Sequence, residues 1–196
     1  MSTPAKLNFK IYQGSTFAET LRWESSIKAY IPITGITKSA PLVVTAPAHG
    51  IPLEWRVKFT NIIGMTDINS DSTYYQVSAV TTNTLTINSI NSLGFKAYIS
   101  DGIVEYNQPV DMTGYTAKMQ IREKITDTAF ILELTTENSG IVINNVTKSI
   151  TLNISAAATA ALTFTTGVYD LEVISSGAQV TTFIGGNLTL VKGVTR

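Results

Sequence analysis

Tyr30-Ile31-Pro32-Ile33-Thr34-Gly35 and Gln108-Pro109-Val110-Asp111-Met112-Thr113-Gly114-Tyr115 read as two halves of one interrupted connection. If residues 36–107 are lifted out, the run ending at Ile33 passes to Pro109 through a tight turn. The removed stretch carries its own alternating runs and turn residues. It therefore reads as a domain inserted into a surface loop, where added chain costs little closure entropy. The division expected is a β-sandwich host, residues 1–35 plus 108–196, and a small β-domain, residues 36–107.

Outward from these phrases, apolar and polar residues alternate with period two between turn signals, the pattern of half-buried strands. Such runs fall at 9–12, 16–23, 42–45, 56–60, 74–80 and 84–88, then at 115–122, 130–135, 141–143, 149–153, 169–174, 180–184 and 188–191. The 29 threonines, with many Val, Ile and aromatic residues, suit a pleated surface better than a helix. One segment departs: 155–162 (SAAATAAL) places a capping serine before an alanine-rich turn and predicts one short helix crossing between sheets. The fold class is all-β, an immunoglobulin-like or related sandwich carrying a small β-barrel-like insert.

Fourteen Lys plus Arg balance fourteen Asp plus Glu in 196 residues. A neutral, weakly charged chain lacks the basic footprint of a phosphate-backbone binder, so nucleic acid is not an expected partner. No cysteine is present, which removes disulfides and thiolate chemistry, and no window has the ~18 apolar residues of a membrane-spanning helix. The reading is a soluble chain without a secretion signal. The balance also favours self-association.

Candidate sites are few. His49, the one imidazole, lies in Ala46-Pro47-Ala48-His49-Gly50, where a turn histidine bonded to local backbone is the plain reading; metal binding or catalysis would need partners that the motif does not supply. Asp170 and Glu172 share a strand face, and Asp67 and Asp71 come together only if their loop folds back; neither pair has a hydrolytic constellation around it. Gly185-Gly186 and Asp101-Gly102 are turn signals. The Asn-Xaa-Ser/Thr triplets at Asn145, Asn153 and Asn187 are those expected in a threonine-rich chain. Trp23 alternates with Leu21 and reads as core, whereas Trp55 begins a strand beside Arg56 and reads as half exposed, open to a partner. Ile62, Ile63 and Met65 form an apolar cluster beside a glycine turn, as insert core or as a docking surface. No catalytic residue, cofactor or metal site is assigned, and no enzymatic activity is expected.

Tyr12-Gln13-Gly14 with Leu21-Arg22-Trp23, the run Val110 through Arg122, Leu132-Glu133-Leu134-Thr135-Thr136, Ile154-Ser155-Ala156-Ala157 and Tyr169-Asp170-Leu171-Glu172-Val173 together resemble the N-terminal domain of the phage upper-baseplate protein family. Val43-Val44-Thr45-Ala46-Pro47-Ala48-His49-Gly50 and Ile63-Gly64-Met65-Thr66-Asp67-Ile68-Asn69 are similar to a small repeat of phage tail and fibre proteins. The family's pattern usually runs from the first strands straight into an Asp-Leu-Thr-Gly phrase, whereas here residues 36–107 intervene and Met112 stands in place of the leucine. The resemblance implies a structural component of a tailed-phage virion, assembled in the host cytoplasm, with other virion structural proteins and its own copies as partners. A tail, baseplate or neck adaptor is the first form; a capsid decoration or head-fibre protein, and a receptor module binding a host surface glycan, are the alternatives.

Overall fold

A computed structural model describes residues 4–193. Three strands open the chain, β1 (Ala5–Lys6), β2 (Phe9–Tyr12) and β3 (Phe17–Arg22). Eight follow: β4 (Glu24–Pro32), β5 (Gly35–Thr37), β6 (Leu42–Thr45), β7 (Arg56–Thr60), β8 (Tyr75–Gln76), β9 (Ala79–Val80), β10 (Thr84–Ile87) and β11 (Ile103–Pro109). The rest are β12 (Thr116–Arg122), β13 (Leu132–Thr135), β14 (Ile141–Asn144), β15 (Ser149–Ile154), helix α1 (Ala156–Ala160), β16 (Thr166–Ile174) and β17 (Val180–Val191). The fold is all-β and sandwich-like.

The chain divides into two compact units, one made by the residues up to Trp23 and from Asp111 on, the other by Glu24–Val110. The division lies outside the 35/36 and 107/108 junctions expected from sequence. The reason is β4, which pairs antiparallel with β11 from Pro32 opposite Ile103 to Glu24 opposite Pro109, drawing residues 24–35 and 108–110 into the second unit.

In the first unit, a six-stranded sheet runs β1-β17-β16-β12-β13, with β2 also paired to β17, and a three-stranded sheet runs β14-β15-β3. Period-two alternation turns Ala117, Met119 and Ile121 of β12, Tyr169, Leu171 and Val173 of β16, and Ile150, Leu152 and Ile154 of β15 into the core. Phe9 stacks on Tyr169 at 5.1 Å and meets Phe17 edge-on. Trp23 is half-buried against Tyr115 and Phe183. Helix α1 links the two sheets; the Ser155 hydroxyl accepts from the Ala158 N–H, and buried Thr159 donates to the Ser15 carbonyl.

Two expectations change here. The runs 180–184 and 188–191 form one strand, so Gly185-Gly186 is not a turn. A Cβ at Gly186 would lie 2.0 Å from the Leu7 carbonyl oxygen, so the glycine permits the chain between β1 and β2 to pass close by. Asp101-Gly102 does not reverse the chain either: both residues take positive φ, 60° and 110°, where the pairing of Ile103 with Thr60 passes on to that of Ser100 with Ile63.

In the second unit, sheets β5-β6-β10-β9 and β4-β11-β7-β8 enclose Leu42, Val44, Trp55, Phe59, Met65, Leu85, Ile87 and Val104. The run 74–80 splits between both sheets: β8 pairs with β7 and β9 with β10. The crossing is fixed at Val77, which donates to the Trp55 carbonyl and accepts from the Glu54 N–H, and at Ser78, which bonds Thr86.

Candidate interaction site

Strands β4, β11 and β7 turn Ala29, Ile31, Val104, Tyr106, Val57 and Phe59 inward. The alternation therefore sets Lys28, Tyr30, Glu105, Asn107, Arg56 and Lys58 on the opposite face. Glu105 stands between Tyr30 and Lys58 in register. Its carboxylate pairs with Lys28 and, at 3.2 Å, with Lys58, whose ammonium also donates to the Asp71 carbonyl. The hydrogen bond from Lys28, with a further one from Lys58, outweighs burial and holds the Glu105 carboxyl below the usual carboxylate range. The same bond raises Lys28. One network thus ties three neighbouring strands together.

Beside it, Arg56 makes a two-pronged pair with Glu24, each N···O distance 2.6 Å, and Asn107 donates to the same carboxylate. The Arg56 guanidinium carbon lies 5.2 Å from the Tyr74 ring centroid. Pairing with Glu24 raises the Arg56 pKa. The result is a pre-ordered face in which an arginine and the exposed Tyr30 and Tyr74, residue types enriched at protein interfaces, stand beside paired lysines. Sequence reading missed it because 24–32 and 103–109 were not read as strands. The signal was present in Lys28/Tyr30, Arg56/Lys58 and Glu105/Asn107, each spaced two apart.

The four residues singled out in the sequence separate. Trp55 is 0% exposed rather than half exposed, and its indole N–H donates to the Asn107 carbonyl, so it is core. Ile62 and Met65 are also core, Ile62 with both backbone groups clamped by the Asn69 amide at 2.9 Å. Ile63 alone reaches the surface, 50% exposed beside the 71% exposed Ile99, to which its carbonyl is bonded. Gly64, at φ +95°, lets those segments approach; a Cβ there would meet the Ala97 carbonyl at 2.2 Å.

His49 is buried: Nδ1 accepts from the Ile51 N–H and Nε2 donates to the Thr84 carbonyl, the local backbone role read from its motif. Asp67 lies in the 3-10 turn Thr66–Ile68, and Asp71 contributes its carbonyl to Lys58. Among the described residues, no group of three His, Cys, Asp or Glu is placed to hold a metal ion. The Asp111 phrase is a turn leading into β12: the Asp111 carboxylate accepts from the Thr113 N–H and hydroxyl and from the Asn145 amide, which lower its pKa, while Gly114 takes φ +73°. Asn145 also accepts from the Met112 N–H. Compared with known protein families and with curated proteins, the chain matches none.

Proposed function

We propose that this protein is a structural component of a tailed-phage virion, a tail, baseplate or neck adaptor that joins a ring of the tail to fibres or neighbouring parts. The Tyr/Arg/Lys face of the second unit carries the reading. Its side chains are held by one another before any partner arrives, which reduces the ordering cost of association. A face of this composition on an inserted unit suits a chain that contacts one neighbour through each unit. The sequence likeness of both units to phage structural domains points the same way. In this reading the partners are other virion proteins and copies of itself, and no reaction is performed.

The test is a reconstruction of particles made by the encoding phage, with subunit counting by mass spectrometry. Density at the tail vertex in a copy number set by the tail's cyclic symmetry is the expected result. Absence from the particle, or a copy number matching the capsid lattice, overturns the adaptor role. A Tyr30→Ala/Tyr74→Ala double variant, which truncates two exposed rings and leaves the ion pairs in place, should fold and yet leave particles without the parts it joins.

A further inference from the structure

On the outward face of the six-stranded sheet, β12 and β16 place Gln120 opposite Asp170 and Arg122 opposite Val168. Arg122 is the last residue of β12. Its Nη1 donates to the carbonyls of Asp127 and Thr128, and its Nη2 to the Gln120 amide oxygen, each at 2.6 Å. The Asp127 carboxylate in turn accepts from the Lys124 N–H. These bonds tie the loop between β12 and β13 to the end of β12, and Ile125 on that loop stands 86% exposed. Between the loop and the sheet lies a pocket of about 200 Å³, lined by Gln120, Arg122, Ile125, Val168, Tyr169 and Asp170.

The polar groups of this pocket are arranged in an unusual way. The Asp170 carboxylate makes no hydrogen bond or ion pair among the described residues, although an arginine lines the same small space. Arg122 is kept from closing on it by its three carbonyl-type acceptors, which are neutral and leave the guanidinium charge in place. Its Nε–H and one Nη2 hydrogen remain available. The pocket thus offers a carboxylate acceptor, guanidinium donors and the apolar surfaces of Ile125 and Val168. An anionic ligand would meet Asp170, and a cationic one Arg122. A neutral ligand that both donates and accepts at adjacent positions, with an apolar C–H face, satisfies all of them at once. The volume, below the ~300 Å³ at which drug-sized sites begin, fits one small ring rather than an extended molecule.

We infer that this pocket is a subsite for a single neutral sugar residue, with Asp170 accepting from vicinal hydroxyls, Arg122 donating to ring or hydroxyl oxygens and Ile125 covering the C–H face. The inference is independent of where the protein sits in an assembly. It is tested on the full chain by two-dimensional amide NMR, titrating D-glucose, D-galactose, L-rhamnose and N-acetyl-D-glucosamine separately to tens of millimolar. At least one should give saturable shifts confined to residues 120–125 and 168–170. Asp170→Asn should weaken that binding roughly tenfold, the loss of one charge-assisted hydrogen bond, and Ile125→Ala severalfold. Both side chains are exposed, so the remaining amide peaks should not move. No saturable shift with any of the four sugars, shifts centred elsewhere, or binding unchanged in Asp170→Asn overturns the inference.

Discussion

The two units solve the same problem, an all-β core without disulfides, with different materials. In the first, long strands alternate regularly, and its buried polar residues are Ser149 and Thr159. In the second, strands are short apart from β4 and β11, and His49, Lys58, Ser92 and Glu105 are all buried. Those groups pin connections. The Ser92 hydroxyl bonds the Ser39 backbone, the Asn69 amide clamps Ile62, and His49 joins Ile51 to Thr84. A unit with much of its chain in loops must satisfy many backbone groups away from ladders, and polar side chains do this. The first unit should therefore be sensitive chiefly to apolar truncation, and the second to polar changes as well.

The largest expected effect is in the second unit. Trp55→Ala removes a fully buried indole and leaves the Asn107 carbonyl without its donor, at a cost of about 3–5 kcal/mol. Because the chain has two tryptophans, Trp23 fluorescence then reports the first unit alone during urea unfolding. Its midpoint should stay in place; an equal shift would mean that the units unfold as one and would erase the contrast between them.

Acid should act next. Glu105 has a folded-state pKa below its unfolded value, so the unfolded chain binds more protons between the two and stability rises with pH there. Its contribution is present above about pH 4.3, the ordinary glutamate value, and is lost as pH falls through the lowered one. Glu105→Gln should be less stable than the parent at neutral pH and should lose less on acidification, as denaturant midpoints of the second unit would show. Parallel curves would remove Glu105 from the account.

Smallest is Tyr169→Phe in the first unit. The hydroxyl donates to the Leu7 carbonyl at 2.8 Å, and burial pushes its pKa up. Losing that bond while keeping the ring on Phe9 should cost about 1 kcal/mol, read from the Trp23 transition. A cost as large as that of Trp55→Ala would show that the first unit, too, depends on polar pins.

Much of the strand pattern was legible. Residues 9–12, 42–45 and 56–60 match β2, β6 and β7 to the residue; in β2 and β6 the alternation follows a single buried face, and in β7 the apolar Val57 and Phe59 alternate with Arg56, Lys58 and Thr60 although Lys58 is buried too. The serine-capped helix was legible for the same local reason. What escaped was the short β1 and β5 and, with larger consequence, β4 and β11. In Glu24-Ser25-Ser26-Ile27-Lys28 the pattern is broken where the register shifts, and the Ser25 hydroxyl accepts from the Ile27 N–H. The candidate interaction site was lost with them, because its charged residues lie on those strands. Trp55 was misread because its neighbour Arg56 is exposed, which says only that adjacent residues of a strand face opposite ways.

The sequence by itself determined the all-β class, the strand-rich organisation on both sides of an insertion, the single capped helix and the local role of His49. Each depends on spacing of a few residues. Tertiary structure alone decided that the second unit begins at Glu24, that Ile62 and Met65 turn inward while Ile63 turns out, and that Glu105 meets Lys28 and Lys58. It also decided that Gly186 serves a close approach to Leu7 rather than a turn. These outcomes depend on which strands become neighbours, and pairing between residues as distant as Lys28 and Glu105 is set by the burial of the second unit's core, which draws on residues spread over the whole of that unit and which no local window contains.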